Sequence, residues 1–282
     1  MKTFLGTGLL GAGFTRALLG RGESVQVWNR TYEKAKDLEQ FGAKAFRHPA
    51  DAVRNAEVIH LALKDDASVD AALQMAEPGL TKGALLVDHT TTSIEGCRQR
   101  TASWKEKGFP YQHAPVFMGP ANALQGTGYM LVSGDGDLLR TLEPHLTKMT
   151  GKLLTFGDEP GKAAAMKLTG NCFLVAFTAG LADTLAFAGA IGVSSRELEQ
   201  LFNEWNPGSA IPARLKRLTS GDFRDASWRL DMARKDTGLF LSEAARHGKK
   251  LRIIPGVAAW MDEWIAKGHG QEDWSVFGTP DQ

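Results

Sequence analysis

Gly6-Thr7-Gly8-Leu9-Leu10-Gly11 lies between a short apolar run, Thr3–Gly6, and a segment, Leu9–Leu19, whose apolar residues fall at helical spacing. Three glycines alone are a weak signal, but their setting here is specific. A strand leads in, an amphipathic helix leads out, and a second apolar run ends at Trp28-Asn29. In such a turn the first glycine permits the sharp reversal, the second lets the backbone approach a pyrophosphate, and the third lets the helix lie close on the sheet. Free N–H groups and the positive dipole end of the helix then face the phosphates. Gly6, Thr7, Gly8, Leu9, Leu10 and Gly11 are therefore candidate dinucleotide contacts, with an incidental glycine-rich turn as the alternative.

Working outward, strand candidates recur at Thr3–Gly6, Ser24–Asn29, Ala43–Phe46, Val58–Ala62, Leu85–His89, Tyr111–Ala114, Tyr129–Ser133 and Lys152–Phe156. Segments of helical period such as Tyr32–Phe41 and Val69–Met75 lie between the first five. This alternation predicts a parallel sheet covered on both faces, and the later, more closely spaced strands are expected to extend it. After Gly157 the pattern changes. Residues Gly161–Gly192 are helix-compatible and apolar on nearly every side, which predicts a helix about 45 Å long. Such a helix is expected to be buried all round, by its own domain and a second subunit. Further helices are predicted at Ser195–Trp205, Ile211–Thr219, Leu230–His247 and Val257–Lys267, with a break at Pro255. The expected fold class is an α/β Rossmann-type N-terminal domain, residues 1–158, plus an all-α C-terminal domain, residues 159–282, joined by a long interdomain helix.

Composition narrows the function classes. Lys and Arg total 33 against 32 acidic residues, so no global field attracts nucleic acid or an anionic membrane surface. Cys97 and Cys172 are far apart, which suggests neither a disulfide framework nor a metal site and suits a reducing compartment. With no signal peptide read at Met1, the expected location is cytoplasmic. The nearly uncharged stretch Cys172–Gly192 approaches membrane-spanning length, but Asp183 in its middle favours a soluble core helix.

Nucleotide choice turns on the end of the second strand. An NAD site places a carboxylate there for the ribose hydroxyls, whereas this chain has Asn29-Arg30-Thr31. Arg30 can stack on an adenine and pair with a 2′-phosphate while Asn29 and Thr31 donate hydrogen bonds, so NADP(H) is the expected cofactor. The alternative leaves Arg30 solvated, with Thr31 merely capping the next helix.

Several motifs then occur in a telling order: Gly6–Gly11, Asp88-His89-Thr90-Thr91-Thr92-Ser93, Ala114-Pro115-Val116, Gly161 with Met166-Lys167-Leu168 and Asn171, Lys235-Asp236, and His269-Gly270 with Asp273-Trp274-Ser275. With these the chain resembles the β-hydroxyacid dehydrogenases. That family includes 3-hydroxyisobutyrate dehydrogenase, tartronate semialdehyde reductase and the glyoxylate/succinic semialdehyde reductases, with 6-phosphogluconate dehydrogenase as a larger relative. Lys167 and Asn171 share a helix face one turn apart, and a lysine among alanines invites a lowered pKa. The resemblance implies that Lys167 is the general acid/base and that Asn171 positions the substrate. It also implies cofactor contacts from Leu63, Thr91 and Lys235, and substrate contacts from Thr90, Gly119 and Asp236. Lys235 and Asp236, being adjacent, are expected to serve different contacts.

The chain departs from the family after Ala114-Pro115-Val116. Acid-processing members carry Ser-Gly-Gly there, whose hydroxyl and N–H groups bind a substrate carboxylate; this chain has Phe117-Met118-Gly119. Phe117 and Met118 remove a donor and add apolar bulk, which favours a less polar substrate. The expectation is hydride transfer between NADP(H) and a small aldehyde, ketone or matching alcohol in a homodimer. An imine reductase-like enzyme and a non-catalytic NADP(H)-binding module are the alternatives.

Overall fold

Short strands whose residues are buried on both sides, with no exposed polar face, belong in a sheet covered on both faces. The computed structural model, which describes residues 1–279, places them there. Strands β1 (Lys2–Leu5), β2 (Val25–Trp28), β3 (Lys44–Phe46), β4 (Val58–Leu61), β5 (Leu85–Asp88) and β6 (Tyr111–His113) form one parallel sheet in the order β3-β2-β1-β4-β5-β6. Helices α1 (Leu9–Gly20), α2 (Tyr32–Lys36), α3 (Pro49–Ala52), α4 (Asp66–Ala76) and α5 (Ile94–Glu106) connect them. Side chains alternate between the two faces: Phe4, Val58 and Val87 pack with Phe14 and Leu18 of α1, while Leu5, Ile59 and Leu86 pack with Leu73 of α4. The strand order reverses between β1 and β4, so their carboxyl ends open the crevice where such sheets bind ligands.

The later strands do not extend this sheet, contrary to the sequence expectation. A short strand that the pattern did not reveal, β7 (Val116–Phe117), pairs antiparallel with β8 (Tyr129–Val132), which pairs parallel with β9 (Lys152–Thr155) in a separate three-stranded sheet. The chain leaves the first sheet at Ala114-Pro115. The Ala114 N–H still bonds to Asp88 O, but Pro115 has no N–H, and its carbonyl accepts instead from Leu131. Helices α6 (Pro120–Gln125) and α7 (Gly136–Leu146) complete this part.

Helix α8 (Lys162–Ala190) runs for 29 residues. The chain forms two compact units, Met1–Cys172 and the residues from Phe173 onward, so the division falls inside α8. The first turn of the helix belongs to the N-terminal unit because the Ala163 N–H donates to Ser133 Oγ at 3.0 Å and Ala163 and Ala164 are buried. Most of the rest of α8 is left uncovered, where burial all round was expected: only 11% of its most apolar stretch is buried, and Phe173, Leu174, Val175 and Phe177 stand exposed. By length and composition alone this helix would also pass as a membrane span.

The second unit holds α9 (Ser195–Glu204), α10 (Ile211–Ser220), α11 (Leu230–Arg246) and α12 (Ile254–Trp264), the last three of which contribute to a small core around Phe223, Leu230, Ala233, Met261 and Val276. Pro255 opens α12 instead of breaking the chain before it, because proline is tolerated in the first turn, where its missing N–H is not needed. Asp183 explains its own presence in an apolar helix. Its carboxylate accepts the backbone N–H groups of Arg252, Ile253 and Ile254 at 2.6–3.0 Å and so caps the start of α12. Burial alone would push its pKa up; the three N–H donors outweigh that and hold it below its ordinary value.

Asp183→Ala should therefore lower stability by about 3 kcal/mol, since three N–H groups lose a charged acceptor. A depressed carboxylate pKa stabilises the fold above its ordinary value of 3.8 and loses that contribution as pH falls toward the folded-state value. Denaturant midpoints measured from pH 7 down to 3 should show the gap between wild type and variant closing on the acid side.

Candidate active site

The turn after β1 is built by contact between backbones. Gly6 has φ +99°, and a Cβ on it would lie 2.4 Å from Ala62 O; a Cβ on Gly11 would lie 2.0 Å from Gly6 O. Gly8 differs from both, because a Cβ there meets nothing within 4 Å. Gly8 is the N-cap of α1, has no side chain to cap the helix, and is followed by no acidic residue in the first turn. The helix start is thus left with N–H donors for an anion. The Thr7 N–H donates to Asn29 Oδ1 at 3.1 Å, and Asn29 Nδ2 donates to Thr31 O at 2.9 Å, so Asn29 ties the glycine turn to the loop after β2.

At the carboxyl end of β5 the Thr90 loop is held from below. Buried Asp88 accepts the Thr90 N–H at 2.8 Å and the Tyr111 hydroxyl at 2.6 Å. His113 Nε2 lies 2.8 Å from Thr90 O, which can only accept, so Nε2 carries the proton. Thr90 Oγ1 accepts the Leu63 N–H at 3.0 Å, joining the ends of β4 and β5. The same logic fixes the neighbouring imidazoles. His89 Nδ1 is 2.8 Å from Ala114 O and must donate; His89 Nε2 then accepts from His60 Nδ1 at 3.0 Å, leaving His60 Nε2 without a partner. Burial keeps both rings neutral, with the His89 pKa lowered to about 4.

Lys167 is 8% exposed on the second turn of α8. Its ammonium donates to Asn171 Oδ1 at 3.0 Å and lies 4.0 Å from the centroid of the Phe117 ring. Burial pushes its pKa down, with no charged neighbour contributing.

One cavity of about 580 Å³ brings most of these residues together: Gly6, Gly8, Leu9, Leu10, Asn29, Arg30, Thr31, Leu63, Thr90, Thr91, Met118 and Lys167 all line it. Thr7, Gly11, Phe117 and Asn171 are not among its lining residues. Gly119 caps α6, and its N–H is already donated to Asn122 Oδ1 at 2.9 Å. Lys235 and Asp236 lie in the second unit, where their side chains pair with each other at 2.9 Å. The sequence reading missed Lys34, Lys64, Ser68 and His89 in the lining. Lys34 was findable, one helical turn after Thr31; His89 stands inside the Asp88–Ser93 motif but was assigned no contact there.

The chemistry of the lining fits a dinucleotide: an uncapped helix start with an open position at Gly8, then three cationic side chains, Arg30, Lys34 and Lys64, and no carboxylate among the described lining residues. Comparison with known sequences agrees. A profile described as the NAD binding domain of 6-phosphogluconate dehydrogenase matches residues 2–157, and one described as the NAD-binding domain of NADP-dependent 3-hydroxyisobutyrate dehydrogenase matches residues 161–277. The chain belongs to the β-hydroxyacid dehydrogenase family. This family member is an NAD(P)-dependent oxidoreductase. It is 26% identical to the 3-sulfolactaldehyde reductase of Escherichia coli (strain K12) over 97% of this chain and 93% of that one. It is 25% identical to the uncharacterized oxidoreductase YfjR of Bacillus subtilis (strain 168), over 96% of both. An imine reductase from Myxococcus stipitatus in complex with NADP+ shares the fold of this dehydrogenase, with a TM-score of 0.90 at 22% identity over 99% of this chain and 98% of that one.

The glycine geometry separates folding from binding. Gly11→Ala should destabilise the protein, whereas Gly8→Ala should leave the melting temperature of the free protein unchanged and weaken NADPH at least tenfold. Thermal melts with and without NADPH, together with calorimetric titration, distinguish the two. Equal nucleotide affinity in Gly8→Ala would remove the helix start from the binding site.

Proposed function

We propose that the protein is an NADPH-dependent reductase of small carbonyl compounds that carry no carboxylate, with Lys167 as the general acid. The observation that carries this reading is the placement of a buried lysine, without a counter-anion, in the wall of the cavity that the glycine turn opens. When bound, the nicotinamide supplies the hydride. Lys167 Nζ donates a proton to the carbonyl oxygen as negative charge develops there, and its lowered pKa eases release of that proton. Asn171 Oδ1 holds the ammonium in place, and the Thr90 hydroxyl is fixed near the substrate by Leu63 and Asp88. Arg30, Thr31 and Lys34 favour a 2′-phosphate, and the absence of a carboxylate at Asn29 removes the group that would repel it.

The substrate class follows from what the site no longer offers. The family's hydroxyl donor is replaced by the Phe117 ring, and the Gly119 N–H is consumed by Asn122. A carboxylate brought here would lose its hydration without regaining hydrogen bonds. An apolar wall also suits an imine, the second reading, but a protonated imine beside the Lys167 ammonium would be repelled. The exposed face of Phe173, Leu174, Val175 and Phe177 is best covered by a second copy of the chain. Hydrocarbon is a worse cover, since it would surround Asp183 and the N–H groups it caps.

NADPH oxidation with uncharged aldehydes and ketones should exceed that with aldehyde acids of equal size, and Lys167→Ala should reduce kcat by roughly 10²–10⁴-fold. Turnover confined to imines, or indifferent to Lys167, would move the assignment to imine reduction. Light scattering should give a dimer that Val175→Asp dissociates; a monomer in the wild type would remove the pairing of α8.

A further inference from the structure

Lys167 is buried with no anion beside it in its cavity. Among the described residues no carboxylate lines its cavity. The groups that share the cavity are His89 at the end of β5, held neutral by burial, and the cations Arg30, Lys34 and Lys64 of the loops and helix after β2 and β4. Asp88, beneath the Thr90 loop, is committed to the Thr90 N–H and the Tyr111 hydroxyl. On its own helix, α8, the other basic residue before Asn171 is Lys162, which is exposed.

What the ammonium meets is a ring face. Phe117 lies with its centroid 4.0 Å from Lys167 Nζ. The ring is seated in a gap in α8, since a Cβ at Gly170 would come within 2.3 Å of Phe117 Cζ. Positions 167, 170 and 171 share one helix face, so the notch lies beside both the lysine and the asparagine that accepts its hydrogen bond. A ring face attracts a cation through its quadrupole, and more strongly where water is excluded. A carboxylate in the same place would bind the proton too firmly for transfer, and an aliphatic side chain would leave the charge unsupported.

We propose that Phe117 is a positioning residue for Lys167: its ring, seated in the Gly170 notch, takes the place of a counter-anion, holds the ammonium at the cavity wall and sets the pH range over which it can donate a proton. The kinetic part of this proposal rests on Lys167 being the acid of the reaction proposed above; the effect on its protonation does not.

The test replaces the ring and reads the lysine directly. In protein labelled on its lysines, free of nucleotide, NMR of the Lys167 Nζ group should give a midpoint about one pH unit lower in Phe117→Leu than in wild type. Loss of the ring disfavours the charged form, so the alkaline limb of kcat/KM for carbonyl reduction should move to lower pH by the same amount. Phe117→Tyr, which keeps a ring, should restore both. Gly170→Ala favours helix formation by propensity yet displaces the ring, and it should reproduce the lowered midpoint in a well-folded protein. An unchanged Lys167 midpoint in both Phe117→Leu and Gly170→Ala would reduce Phe117 to packing and overturn the proposal. A shifted midpoint in protein that turns over no carbonyl compound would uphold the coupling and remove the proposed reaction instead.

Discussion

Gly6 lies so close to Ala62, and Gly11 to Gly6, that one methyl group at either position would sit 2.4 or 2.0 Å from a carbonyl oxygen, and most of what the N-terminal unit does depends on this approach of bare backbone. It brings α1 down onto the first sheet, where Phe14 and Leu18 complete one face of the core. It also aims the start of that helix at the crevice between β1 and β4. Core packing and the placing of the anion site are therefore two results of one constraint, while Gly8, free of any such contact, is left to the anion alone.

A second layer fixes the opposite wall. The Thr90 loop needs a rigid support because the reacting groups above it gain little from contacts misplaced by an ångström. Asp88, His113 and the Leu63 N–H supply that support through hydrogen bonds made away from bulk water, where they are strong and where a missing partner is costly. The stacked His60 and His89 rings fill the space beneath as neutral, flat, apolar-faced groups between Phe4 and Phe14. His89 has both nitrogens committed and His60 only one, and the unpartnered His60 Nε2 is the residual cost of using imidazoles in that position.

The first sheet was legible because each of its strands is bracketed by helix-period segments, and the glycine turn marks its switch point. The second sheet was not. Two residues of β7 are too few to show a period, and the proline that redirects the chain reads equally well as a loop residue. Helices α6 and α7 went unread for a related reason: α6 has six residues, too few to show a period, and α7 carries Pro144 inside it. Within the site, residues in ordered motifs such as Lys167 and Thr91 were found from sequence, whereas Lys64 reaches the cavity only through tertiary folding. The fate of the Gly119 N–H could not be read either, since an amide's partner is a matter of geometry and leaves no mark in the residue type.

The Phe117 ring and the Gly170 notch also limit the routes by which such a site can change. With a side chain at position 170, a phenyl group at position 117 has to leave its present seat beside Lys167; with glycine there and serine at 117, the notch is merely empty. Substitutions that convert an acid-binding site into this one thus differ by order: the ring takes its seat beside Lys167 only once position 170 is glycine. A laboratory lineage starting from a carboxylate-binding relative should pass through a loosely packed intermediate before the ring supports the lysine, and on the reverse journey that support is lost as soon as position 170 regains a side chain.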